Sequence, residues 1–173
     1  MDNTTIKQIP INIGWYFAGF ADGEGSFNVS LKKDSYNPSL WHVEPSFNVS
    51  QRDVTNLALY KRYLGVGTIR QRKDGVHYYE VRNYRALQEI IIPFFEKFTF
   101  YSSTKKTNFA IFKKIIALMY TGEHNKKEGL KQILLLREEL NCGRGRKRKY
   151  SLNDYLNSQM KSSETIRQIP IFK

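Results

Sequence analysis

Apolar and polar positions alternate strictly in two long stretches of this chain. Over 26–33, Phe27, Val29 and Leu31 fall on one side and Ser26, Asn28, Ser30 and Lys32 on the other, as in a half-buried strand. The stretch 42–51 repeats the pattern, with Val43, Phe47 and Val49 inward and Ser46, Asn48 and Ser50 outward. Pro45 within it asks for an edge position or a bulge, because proline donates nothing to a ladder. Between the two, 34–39 carries Asn37 and Pro38 and reads as a turn or loop. Segments 68–72 and 76–82 form a hairpin around Lys73, Asp74 and Gly75. Helical spacing governs the remainder: 12–21 after Pro10, 54–64 stopping at Gly65, 84–92 ended by Pro93, and two amphipathic runs at 104–120 and 126–140. The order is α-β-β-α-β-β-α-α. Four antiparallel strands with helices on one face make an α+β domain over 1–150. The stretch 151–173 is an extension without an assigned role. The second face of the sheet is left polar and basic, and something must cover it or bind it.

Charge gives that face a partner. The 173 residues include 28 Lys and Arg against 16 Asp and Glu, a net charge of +12. Such an excess points to a polyanion, most often nucleic acid. Thr68, Arg70 and Arg72 share one side of their strand, and Lys32 joins them from the first. A face mixing Arg, Lys, Asn, Ser and Gln suits base edges and phosphates together, and a β-ribbon fits the major groove. Eight residues of strand span about 26 Å, or about 8 base pairs. On the fourth strand either His77 and Tyr79, or Tyr78, Glu80 and Arg82, face the partner, and the pattern does not decide which. Arg144, Arg146, Lys147, Arg148 and Lys149, introduced by Gly143 and Gly145, read as a loop for phosphate contacts. The single cysteine, Cys142, excludes an internal disulfide framework and suits a reducing compartment. No run is long and apolar enough to cross a bilayer, and the first ten residues lack a signal-peptide pattern, so an intracellular protein is expected.

The chemistry concentrates in 17–25, Phe-Ala-Gly-Phe-Ala-Asp-Gly-Glu-Gly. Gly19 and Gly23 lie four apart on one helical face, where each costs roughly 1 kcal/mol relative to alanine. Their natural use is close approach of another backbone. Asp22 and Glu24 stand at the helix C-terminus, which already carries partial negative charge. A divalent cation would offset both. A calcium loop starting at Asp22 needs an acid at its twelfth position, which is Lys33. A phosphate-cradling loop wants a lysine and a following helix, where a strand follows. A Mg²⁺ site with few carboxylates fits best among ligand sites, water and substrate phosphate completing the shell, and an ordinary helix end followed by a glycine turn is the alternative. His42, His77 and His124 are scattered without zinc spacing, and Cys142 is a poor nucleophile candidate.

These residues resemble the motif of the LAGLIDADG homing endonucleases, with Phe17 for the first Leu, Phe20-Ala21 for Leu-Ile, Gly23 for Ala and Glu24 for the second Asp. The resemblance extends over roughly 12–150, through the element order, Phe47 to Gln51, Pro93-Phe-Phe, and Ser103-Thr-Lys-Lys106 ahead of Phe109 and Phe112. It implies the α-β-β-α-β-β-α homing-endonuclease fold with a saddle-shaped sheet. The single motif is similar to the homodimeric branch, whose motif helices pack together across a two-fold axis, here through Gly19 and Gly23, with Asp22 ordering the helix ends at that interface. The resemblance further implies cleavage of both DNA strands with Mg²⁺ (Mn²⁺ or Ca²⁺ able to occupy the site), leaving short 3′ overhangs. Glu24 and the Gly23 carbonyl then bind metal, Gln51 orients water, and Lys105 sits near the attacked phosphate, with Lys106 as the lesser candidate. A further basic position falls on Thr55, for which Arg52 could substitute. Ser26, Asn28, Ser30, Lys32, Asn48, Thr68, Arg70 and Arg72 would read a long pseudo-palindromic target, assisted by Arg144, Arg146 and Lys147. The host implied is an organelle or a bacterium. An intron RNA maturase or a DNA-binding regulator on the same fold is the alternative.

Overall fold

The structure is a computed structural model that describes residues 8–34, 36, 41–142 and 148–167, with side chains as far as 159. Helix α1 (Ile11–Glu24) runs straight into strand β1 (Gly25–Lys33). Strand β2 (Trp41–Gln51), helix α2 (Val54–Leu64) and the hairpin of β3 (Thr68–Gln71) and β4 (His77–Val81) follow. Helix α3 (Tyr84–Ala86) passes through a π-helical stretch, Leu87–Ile91, into α4 (Ile92–Lys97). Then come α5 (Ser103–Tyr120), a 3₁₀ turn at Glu123–Asn125, α6 (Lys127–Glu139) and α7 (Leu152–Arg167). The sheet is antiparallel in the order β1-β2-β4-β3. The α+β architecture expected from the alternation is the one observed.

Register explains the layering. Gly25 pairs with Val49, Phe27 with Phe47 and Leu31 with Val43, which puts the apolar set of both strands on one side. Phe27 and Phe47 have ring centroids 5.2 Å apart, and Phe95, Phe100, Phe109 and Phe112 from the helical layer close over Phe27. Each such ring contributes about 1.5–3 kcal/mol on burial. Phe17 of α1 stacks on Tyr60 of α2 at 4.2 Å, and the Tyr60 hydroxyl donates to the Phe17 carbonyl. The motif helix is thus bolted to α2 through its buried side, which leaves its other side to solvent.

Three sequence expectations need adjustment or explanation. Pro45 sits in regular register with Val29, although β2 is an interior strand. Pairing with β4 starts only at Phe47, so Pro45 lies where β2 has β1 as its one neighbour, and its missing N–H is harmless. Pro93 does not end its helix. The preceding π stretch widens the turn, and the chain remains helical to Lys97 with Pro93 in the first turn of α4. The stretch after 150 is no idle tail over its described part: α7 sends Tyr155, 1 % exposed, into the core, and Ser158 Oγ accepts from Trp41 Nε1 at 2.8 Å.

Strand β1 is an edge, and its outward carbonyls are covered by side-chain donors. Gly25 O accepts from Lys105 Nζ, Phe27 O from Asn141 Nδ2 at 2.8 Å and Val29 O from Arg137 Nε at 2.8 Å. Arg137 is buried and also donates to Tyr150 O, at 3.0 Å. An edge closed this way does not recruit further strands. Among the described residues no helix is long and apolar enough to cross a membrane.

Candidate active site

The last turn of α1 delivers Asp22, Gly23 and Glu24 to the end of the sheet where β1 begins. Their environments differ sharply. Asp22 accepts from the backbone N–H groups of Tyr101 and Ser102, both at 3.0 Å, and from the Ser102 hydroxyl. It therefore secures the loop that opens α5. Burial pushes its carboxyl upward, but the Ser102 and Tyr101 hydrogen bonds and the Lys105 charge outweigh that and hold it below the ordinary 3.8. A carboxyl lowered on folding stabilises the chain at all pH above its unfolded value, and that contribution is lost as pH falls through the lower folded value. Asp22→Ala should cost about 1–2 kcal/mol near neutrality, by analogy with a lost helix cap. Urea melts of the two proteins should converge as the pH drops below 3.8.

Glu24 and Gly23 are exposed. The Gly23 carbonyl belongs to the final turn, whose carbonyls lack helical partners. Lys105, in the first turn of α5, is half-buried and donates to the Gly25 carbonyl directly after the motif. Burial pulls its ammonium below the usual lysine range, while the Asp22 and Glu24 carboxylates oppose that. Lys106, one residue on, is exposed. Gln51 ends β2, with its Oε1 accepting from Arg52 N at 2.8 Å. Its register partner His77 bonds the Arg52 carbonyl through Nδ1 at 3.0 Å and so fixes the chain beside Gln51. Arg52 and Thr55 are both exposed at the entry to α2, where Asp53 caps the helix by accepting from Thr55 N.

Among the described residues no group of three or more His, Cys, Asp or Glu could close around a metal. The donors at the tip of α1 are a carboxylate and a carbonyl, all hard oxygens. They fit an ion such as Mg²⁺ that keeps several waters and takes the rest of its shell from phosphate. They do not fit a closed structural site.

The open sheet face collects the expected polar set. Register aligns Ser26 with Asn48, Asn28 with Ser46, Ser30 with Glu44 and Lys32 with His42. Asn48 and Thr68 both pair with Glu80, and Arg70 pairs with Tyr78. The ambiguity on β4 is resolved: Tyr78 and Glu80 share the open face, while Tyr79 is buried and donates to Val66 O at 3.0 Å. Much of the face lines a concavity of about 720 Å³ that reaches Arg82, Asn141 and Arg148. Arg72 lies just past β3 and pairs with Asp74 at 2.9 Å. Arg148 donates to the Arg137 and Leu140 carbonyls and to Glu138, and so closes the end of α6. Arg144, Arg146 and Lys147 lie outside the described residues. Sequence reasoning passed over Glu44 on this face. The even-numbered alternation that placed Asn48 and Ser50 outward would also have placed Glu44 there.

Gly19 and Gly23 differ from the other helical glycine of α1. A Cβ on Gly14 would stand 2.2 Å from the Phe98 ring, whereas one on Gly19 or Gly23 would meet nothing within 4 Å. Their bare backbone therefore serves no packing among the described residues. It lies in an exposed stripe with Ile11, 70 % exposed, and Trp15, 40 % exposed.

A helix with exposed glycines and an acidic tip thus stands beside a polar sheet face, and comparison with known proteins shows which family has this arrangement. The sequence model described as LAGLIDADG endonuclease matches residues 17–116, and the chain belongs to that family. It is 35 % identical over 132 residues to a probable intron-encoded endonuclease 2 of Neurospora crassa, covering 74 % of this chain and 29 % of that protein. The chain thus spans less than a third of the first curated relatives it matches. Among solved structures it resembles the archaeal intron-encoded homing endonuclease I-Vdi141I complexed with DNA, with a TM-score of 0.79 and 30 % identity over 87 % of this chain and 96 % of that one. It also resembles I-SmaMI bound to uncleaved DNA target in the presence of calcium ions, with a TM-score of 0.71 and 32 % identity over 76 % of this chain and 46 % of that one.

Proposed function

We propose that the protein is a site-specific double-stranded DNA endonuclease of the intron-homing type, acting as a homodimer with Mg²⁺ and hydrolysing one phosphodiester bond in each strand. The observation that carries this reading is Glu24, an exposed carboxylate on the tip of a glycine-bearing helix where that helix meets a polar sheet face. Family membership and DNA-bound relatives of the same fold support it. A protomer with one motif has one acidic tip, and cutting two strands calls for two. The exposed glycine stripe offers the surface on which a second copy would bring its own.

In this reading the Glu24 carboxylate and the Gly23 carbonyl hold the ion, which when bound supplies Lewis acidity at the phosphate. Lys105, tethered to the Gly25 carbonyl, offsets charge that develops on the attacked phosphate. Gln51, steadied by its contact with Arg52, orients water. Side chains from four strands would then meet base edges, at spacings that the strand register supports.

Selection from a randomised duplex library tests the whole reading. With Mg²⁺ one two-fold, pseudo-palindromic family of duplexes should be cut. With Ca²⁺ in its place the same family should be bound and left intact. Cutting without sequence preference, or no cutting with either ion, would defeat it.

A further inference from the structure

Arg82 stands where the strand pattern gave no decision, and its surroundings are unlike those of the other cations on the sheet. Its Nε donates to Glu80 Oε2 at 2.8 Å, and its Nη1 lies 3.5 Å from Glu44 Oε1. Glu44 is in turn held by Lys32 Nζ at 2.5 Å. The Glu80 side chain is only 10 % exposed and lies between its register partners Asn48 and Thr68. Arg82 is 46 % exposed above it and lines the concavity of the open face.

Two carboxylates under a polyanion-binding face are a liability for affinity. Each repels phosphate, and together they offset the cations between them. What they supply is orientation. A freely rotating arginine carries about 2 kcal/mol of side-chain entropy that it loses on docking. Anchored through Nε and Nη1, Arg82 has surrendered much of that freedom already, and neither anchor uses Nη2. A phosphate contact needs no such preparation, because a point charge in the right region is enough. A fork held at a fixed angle just past the end of β4, over the open face, suits the paired O6 and N7 acceptors of guanine in the major groove.

We propose that Arg82 reads a guanine, with Glu80 and Glu44 as the positioning residues that aim it, so that each half-site contains one fixed guanine-cytosine pair. This rests on the DNA-endonuclease reading above. Symmetry of a homodimer repeats the pair at equal distance on both sides of the centre.

The test is the same duplex selection run on wild-type protein, Arg82→Ala, Arg82→Lys and Glu80→Gln, with thermal melts alongside. Wild-type protein should prefer guanine at one position per half-site by about tenfold to a hundredfold. Arg82→Ala should erase that preference there and leave the other positions as they were. Arg82→Lys keeps the charge without the fork and should lose most of the preference while retaining overall affinity. It carries the test if Arg82→Ala does not fold. Glu80→Gln should reduce the guanine preference and raise affinity for unrelated DNA. Equal weakening on all duplexes would make Arg82 a phosphate contact and overturn the assignment. A preferred site whose base positions none of the variants alters would overturn it too. A wild-type protein that selects no sequence at all overturns the endonuclease reading and this inference together.

Discussion

Glu24→Gln should abolish strand cleavage, lowering the single-turnover rate by about a thousandfold or more, while the affinity for target DNA measured in Ca²⁺ stays within a few-fold of wild type. The asymmetry follows from position. Glu24 is exposed at the end of α1 and contributes nothing to the buried core. Glutamine keeps its shape and removes the charge that would hold a cation. Sheet residues that would meet bases lie on β1 to β4 and are untouched. Asp22, two residues away, gives the opposite result. It is tied to Tyr101 and Ser102, so its loss appears in the melt first. Normal nicking by Glu24→Gln would remove the catalytic assignment.

Gly19→Gln should separate folding from assembly. An added Cβ there meets nothing within 4 Å, so the isolated chain gains helix propensity of about 1 kcal/mol and melts later. In a dimer whose motif helices touch at Gly19, two new side chains enter one seam. Overpacking at about 1–3 kcal/mol per copy then weakens association by at least about thirtyfold, and cleavage falls with it. Sedimentation velocity with and without target DNA reads this directly. Gly14→Ala is the control, because its Cβ would strike Phe98 and destabilise the fold itself. A Gly19→Gln protein that assembles and cuts normally would place the dimer contact elsewhere.

Much of the molecule was legible in one dimension. Alternation at 26–33 and 42–51 gave two strands with the correct inward faces, because a half-buried sheet forces a period of two. The glycine spacing marked α1, although the helix proved to run on through Gly23 to Glu24. Pro93 misled, since a proline in sequence looks like a stop, and only the π turn before it made continuation possible. Arg148 looked like part of a phosphate loop. Its guanidinium is instead turned onto the carbonyls that end α6, a contact set by which helix end lies close by.

From its residues alone, then, this chain specified an α+β sheet with one polar face and an acid-tipped helix bearing glycine. Periodicity and local backbone preference are properties of neighbours in sequence, and so they can be read there. Tertiary structure alone decided which acid stays exposed, which lysine bonds the carbonyl beside it, and which arginine is braced by two carboxylates. Asp22 meets Ser102, Lys105 meets Gly25 and Arg82 meets Glu44 across tens of residues. Such pairings depend on strand register and on how helices settle over the sheet, and no short-range pattern encodes them.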